Sequence, residues 1–209
     1  SDLQARLVHV NGGGTHTINI ENATFTNNSV KGCGAIFLMD QSNAGNASAI
    51  NVYGGTFTDN ACLLSSTSYG SGSIARLKSP GALHFYGGTF ANNTTAAGKN
   101  YEGIYLRDVS QKLGSNVYVH KLSADLNVYL TPYSAKVFMS RIVVDSALTH
   151  TISVYIADNR VPAKGMPLVV GTDEYKLTEA DLAMVKSANP KATFYLDTEN
   201  NAICIAKAE

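Results

Sequence analysis

Tryptophan is absent from this chain, and cysteine, proline and charge are scarce. Charged residues make up 15% of the 209 positions, where about 25% is ordinary. The 16 basic and 16 acidic side chains cancel. So sparse and balanced a charge argues against a nucleic-acid partner and against a polybasic membrane anchor. No run of about 18 apolar residues is present, so no membrane insertion by a helix is expected of this segment. Neither end carries a recognisable targeting or sorting signal. The abrupt start at Ser1-Asp2-Leu3 reads as a cut from a longer protein. Cys33, Cys62 and Cys204 lie far apart and form no C-x-x-C pair, which argues against zinc. They read as small buried hydrophobes. Cys33 with Cys62 is the pairing to expect if the protein is secreted and one disulfide forms. A chain of this length buries enough surface for a core without cross-links.

What is present is a repeat. Ile18-Asn19-Ile20-Glu21-Asn22-Ala23-Thr24-Phe25-Thr26-Asn27-Asn28 returns as Ile50-Asn51-Val52-Tyr53-Gly54-Gly55-Thr56-Phe57-Thr58-Asp59-Asn60. It returns again from Leu83 to Asn93 as L-H-F-Y-G-G-T-F-A-N-N. A second block recurs between the copies, at Gly34–Asp40, Gly72–Lys78 and Gly103–Asp108, and residues 5–9 look like the tail of an earlier copy. Each period holds three strand-like runs, I-x-[IVF], T-F-x-x-N and G-x-I, rich in β-branched and aromatic residues with Gly and Asn between them. Residues 1–160 lack the three-and-four spacing of helical repeats. Three strands per period, stacked copy on copy, predict an all-β fold, a right-handed parallel β-helix of the pectin-lyase-like solenoid kind.

In that fold equivalent side chains stack in ladders about 4.8 Å apart. Ile18, Ile50 and Leu83 face inward, as do Ile20, Val52 and Phe85. Phe25, Phe57 and Phe90 form an aromatic column. Asn28, Asn60 and Asn93 fall at a turn, where an Asn bonds the next coil and tolerates a left-handed backbone. Gly54-Gly55 and Gly87-Gly88 mark a tight corner, with Asn22-Ala23 a looser version in the first copy.

F-x-x-N at Phe25–Asn28, Phe57–Asn60 and Phe90–Asn93, with G-A-I at Gly34–Ile36, resembles the repeats of the chlamydial polymorphic outer-membrane proteins. It also resembles the G-G-T-F-x-x-N coils of very large surface proteins of gut Firmicutes. The resemblance covers roughly residues 5–110. It departs at the second block, where Cys33 and Ser71 replace the first glycine and Tyr101-Glu102-Gly103 is a weak copy. It implies β-helical coils, an adhesin-like role, an extracellular or bacterial cell-surface location, and adjoining domains of a longer chain. Its motifs specify coil geometry and include no catalytic residue.

Residues 111–160 lose the motif but keep strand patterns at Asn116–Val119, Leu126–Leu130, Lys136–Val144 and Thr151–Ile156, so coils are expected over 1–160. Residues 161–209 read as a small α+β cap over the open end of the last coil. Strands are expected at Leu168–Val170 and Glu174–Leu177. Thr178-Glu179-Ala180-Asp181 opens a short helix like a capping box, continued by Leu182, Val185 and Lys186. Asn200-Asn201 joins a hairpin of Thr193–Leu196 with Ala202–Ile205. Similar endings close the coils of the Firmicutes proteins.

Three functions stay open. The first is a non-enzymatic adhesin or stalk segment that presents loops and ladders to a host glycan or surface protein. The outward Tyr53 and Tyr86, in one column with Glu21, would form a flat platform for sugar rings. The alternative for those tyrosines is plain cross-strand pairing. The insert 61–81, with its Ser/Thr/Tyr/Gly-rich Ser65–Ser71, is a candidate contact loop or a spacer. The second function is a polysaccharide lyase or glycoside hydrolase on the same fold. Its candidate residues are a stacked column of Asp40, Lys78 and Asp108, with Arg76 and Arg107 nearby. The bland reading of that column is a surface charge ladder. The third function is a passive spacer. The five histidines are dispersed, with His84 in the outward column of Asn19 and Asn51. Asp145 with Asp158 and Asp173 could hold calcium, although no D-x-D-x-D loop is present. No cofactor and no metal is expected.

Overall fold

Short alternating runs extend as strands, and the computed structural model gives their pairing. It describes the chain apart from residues 1–6, 12–13, 31–35, 41–46, 64–71, 79, 96–102, 109, 111, 135, 157–161, 189–191 and 208–209. One parallel sheet runs through Val8–Asn11, Phe37–Asp40, Ala75–Leu77, Ile104–Arg107, Leu126–Thr131, Ile152–Ile156 and Val185–Ser187. A second runs in parallel through Thr17–Ile20, Ala49–Val52, Ala82–Phe85, Asn116–Val119, Arg141–Val144 and Pro167–Gly171. It ends in the antiparallel strands Ala202–Lys207 and Ala192–Asp197. Two smaller parallel sheets serve the repeats alone. Ala23–Thr26, Gly55–Thr58 and Thr89–Ala91 form one, and Ser29–Val30, Ala61–Cys62 and Thr94–Thr95 the other. The protein is therefore all-β, with long parallel sheets compatible with a solenoid.

The register aligns the repeats as their sequence does. Ile18, Ile50 and Leu83 pair in turn, as do Ile20, Val52 and Phe85. Ile50, Val52, Leu83 and Phe85 are buried. Phe57 stacks on Phe25 at 5.4 Å and on Phe90 at 4.7 Å between ring centres. Each period has four strands rather than three, because a two-residue strand follows the ladder asparagine, at Ser29–Val30, Ala61–Cys62 and Thr94–Thr95.

That turn corrects one expectation. The left-handed residues are Asn27, Asp59 and Asn92, with φ of 58°, 57° and 53°, each one position before the ladder asparagine. The short polar side chains of Asn and Asp tolerate that backbone best after glycine. The ladder asparagines do bond across coils, as expected. Asn60 Nδ2 donates to Phe25 O (2.9 Å) and to Asn93 Oδ1 (2.9 Å). Its Oδ1 accepts from the Asn28 backbone N–H (3.2 Å) and Nδ2 (2.9 Å). Asn93 repeats the pattern, donating to Phe57 O at 2.8 Å. At the corner, Gly55 has φ of 115°, and a Cβ there would lie 2.3 Å from Ala23 O. Asn22-Ala23 sits at the edge strand of its sheet, where no described strand lies beneath it.

Beyond the third repeat the two small sheets end and the coils shorten. The offset between stacked residues falls from 33, for Asn60 and Asn93, to 25, for Ser115 and Ser140. The strand expected over 136–144 begins only at Arg141, because Asp108 holds the preceding residues in a loop. Thr178 caps the helix Glu179–Met184 through a full capping box with Asp181. The helix does not continue through Val185 and Lys186. Val185 leaves it to pair with Ile152, burying a β-branched side chain in the long sheet. Glu174–Leu177 forms no strand. Asn201 bonds its backbone instead, donating to Tyr175 O and accepting from Leu177 N. The hairpin forms as expected. Cys62 is buried; Cys33 and the loop Ser65–Ser71 lie outside the described residues.

Asn60→Ala would strip the part-buried carbonyl of Phe25 and the Asn28 and Asn93 amides of partners. We expect a loss of about 2–4 kcal/mol in denaturant unfolding. Asn51 makes one exposed bond to Asn19 (2.8 Å), and Asn51→Ala should cost less than about 1 kcal/mol. Equal losses would contradict the buried ladder.

Candidate functional site

The column proposed for acid–base chemistry does not form. Ile104 pairs with Ala75 and Leu106 with Leu77, which brings Arg107, not Asp108, beside Lys78. The third copy is shorter between its glycine and its strand, so aligning Ile104 with Ile74 misplaces everything after it. Lys78 Nζ meets Asp40 Oδ1 at 3.0 Å, both side chains about one-third exposed (33% and 35%). That is the surface ladder pair, contributing about 0–1 kcal/mol. Asp108 turns inward and is buried. Its carboxylate accepts from Ser140 N (2.8 Å), Ser140 Oγ (2.6 Å), Met139 N (2.9 Å) and Tyr133 N (3.1 Å). Four bonds to one loop give it a structural task. Arg76 is buried between Leu38 and Tyr105 in register.

The outward face of the second long sheet carries a different cluster. Tyr53 and Tyr86 do occupy one column, each following its strand. The register Phe85 to Val119 and Val119 to Val144 extends that column to His120 and Asp145. Two residues back lies a parallel column of Asn19, Asn51, His84 and Tyr118. Parallel pairing thus gathers two histidines, three tyrosines and an aspartate from four coils. Tyr86 stacks on His120 with ring centres 3.9 Å apart and planes within 2°. His84 stacks on Tyr118 at 4.2 Å and Tyr53 on Tyr86 at 4.8 Å.

A polar relay runs through the rings. Asp145 Oδ2 bonds His120 Nδ1 closely, and His120 Nε2 lies 3.1 Å from His84 Nδ1. The carboxylate accepts the Nδ1 proton of His120, which leaves Nε2 as the acceptor for His84 Nδ1–H. Burial, then the neighbouring His120, hold the His84 imidazole down to about 4, with Asp145 pulling the other way. His84 is neutral near pH 7. Burial, Tyr53 and Asp145 push the Tyr86 hydroxyl above its ordinary value.

This geometry corrects the flat platform. The rings stand on edge and stack face to face along the sheet. Both faces of Tyr86 are covered, by Tyr53 and by His120. What the stripe offers is ring edges, hydroxyls and imidazole nitrogens, together with the face of Tyr53 that looks toward Glu21. The histidines are not all dispersed either. His120 escaped the sequence reading because it lies beyond the last motif copy. The signal was Tyr53-Gly54, Tyr86-Gly87 and His120-Lys121, each directly after a strand. Of the calcium guess, Asp145 serves His120, and Asp158 lies outside the described residues. A cleft of about 250 Å³ opens where the small sheets end, lined by Phe90, Asn92, Asn93, Gly103, Asp125 and Asn127 among others.

The fold and this face define a class only: an all-β protein of stacked parallel strands with a Tyr/His ladder on one face. No protein-family model matches the chain, and neither a curated protein nor a solved structure matches it.

The His84 titration is measurable by proton NMR, with an expected midpoint near 4. A depressed folded value means that stability is full above about 6.5, the unfolded value, and declines as pH falls toward 4. His120→Ala should raise the midpoint, and Asp145→Asn should lower it further. A midpoint near 6.5 in the parent protein would contradict the relay.

Proposed function

We propose that this chain is a right-handed parallel β-helix with a small α+β C-terminal cap, serving as a non-enzymatic, adhesin-like segment of a larger bacterial surface protein. Its place would be extracellular or on the cell surface, between adjoining domains. The reading rests on what the repeated residues do. The ladder asparagines, the phenylalanine column and the corner glycines all make contacts from one coil to the next. The resemblance of F-x-x-N to adhesin repeats points the same way. The two acids of the candidate lyase or hydrolase column carry other tasks: Asp40 pairs with Lys78, and Asp108 pins a loop.

A host glycan is the proposed ligand of the Tyr/His stripe. The carrying observation is the exposure of Tyr53, at 48%, with Glu21 next to it in the column. A sugar ring can lie on the open face of Tyr53 while its hydroxyls donate to Glu21. Ring edges and hydroxyls of the following coils extend the contact along the sheet.

A glycan array tests this. Tyr53→Ala should abolish binding, since it removes the open face. Tyr86→Ala should weaken binding about tenfold or less, through loss of support for Tyr53. Binding unchanged in Tyr53→Ala would sink the stripe as the ligand site. A parent protein that binds no glycan would favour the passive spacer.

A further inference from the structure

His84 and His120 come from neighbouring coils, and the nitrogens that face each other are 3.1 Å apart. Two nitrogens each about 2.0–2.1 Å from one ion stand about 2.9 Å apart at a right angle and about 3.4 Å apart at the tetrahedral angle. The observed separation falls inside that window. We propose that His84 Nδ1 and His120 Nε2 are the two protein ligands of a surface site for a late first-row divalent metal ion, zinc or copper. Water fills the remaining positions. This inference is independent of the glycan reading, because it uses only the two imidazoles and their supports.

Three features prepare the pair. Asp145 holds the opposite nitrogen of His120, the carboxylate–imidazole arrangement that fixes the tautomer and raises the basicity of a ligating histidine. Tyr86 covers His120 and Tyr118 covers His84, at 3.9 Å and 4.2 Å, so stacking holds each ring's plane while the ring can turn within it toward an ion. His84 and His120 are both half-buried on the outward face, so an ion from solvent can reach the pair. Imidazole donors favour zinc, copper and nickel over magnesium or calcium, and copper(II) binds tightest in that series.

The proton balance closes. Without metal, His84 Nδ1–H donates to His120 Nε2. On binding, the proton leaves Nδ1 and another is taken up at His84 Nε2 from solvent. Both facing lone pairs then bond the ion and no net proton is released. The ion sits to the solvent side of the line between the two nitrogens, and each ring tilts to face it. The Asp145 carboxylate offsets part of the added charge.

Calorimetric titration of the whole chain with zinc and with copper(II) tests the site, with magnesium as control and circular dichroism to check that each variant folds. The expected result is one ion per chain, at least tenfold weaker in His84→Ala and in His120→Ala, and unchanged in His150→Ala. Asp145→Asn keeps both ligands, and should weaken binding 10- to 100-fold. Copper(II) electron paramagnetic resonance should show two equivalent-type nitrogen donors in the parent and one in either histidine variant. Failure to bind either ion stoichiometrically would overturn the site, as would binding that survives unchanged in both histidine variants. Unchanged affinity in Asp145→Asn would overturn the role given to the carboxylate.

Discussion

Asn60 is buried, and its carboxamide has no water to bond. Its four bonds reach the coil before and the coil after. A shift of either neighbour by one residue would break several at once and would turn the inward side chains outward. The amide ladder therefore fixes register, and hydrophobic burial then follows the register. Ile50 over Ile18 and Phe57 over Phe25 are consequences of the same alignment. The energetic asymmetry matters here. Each bond contributes only about 1 kcal/mol net, but an orphaned buried amide costs about 1–3 kcal/mol. The ladder discriminates against wrong stacking more strongly than it stabilises the right one.

Register on the inside dictates adjacency on the outside. Side chains alternate across a strand, so every inward ladder has an outward one beside it. Tyr53, Tyr86 and His120 meet because Val52, Phe85 and Val119 stack. The relay from Asp145 to His84 is diagonal between two such columns. It needs three successive coils in place, those of Phe85, Val119 and Val144, and the asparagine ladder reaches the first of them.

The repeat region was legible because inward positions are constrained: F-x-x-N and I-x-[IVF] must recur for coils to stack. The phenylalanine, isoleucine and asparagine ladders were read from it directly. Outward positions carry no such constraint. Asn19, Asn51, His84 and Tyr118 share a column whose residue type changes after the second copy, so the meeting of His84 with its neighbours left no motif to find. Asp108 was misplaced because the third copy shortened between Gly103 and its strand, and glycine was a poor anchor for alignment. Beyond residue 110 the coil shortens with the loss of two sheets, so the period itself changed. Val185 looked like the next residue of an amphipathic helix. Pairing with Ile152 in the long sheet outweighed that local preference.

The most direct test of this account is a register-specific cross-link. Thr26 and Thr58 pair across adjacent coils on the outer face, with hydroxyls 3.3 Å apart. Paired parallel strands bring Cα atoms to within disulfide range. Mild oxidation of the Thr26→Cys, Thr58→Cys variant, followed by peptide mapping, should yield that disulfide in nearly all molecules. The offset Thr24→Cys, Thr58→Cys variant should yield almost none. Cross-linking of the offset pair, or of neither, would contradict the stacked register on which the fold and its outer face both depend.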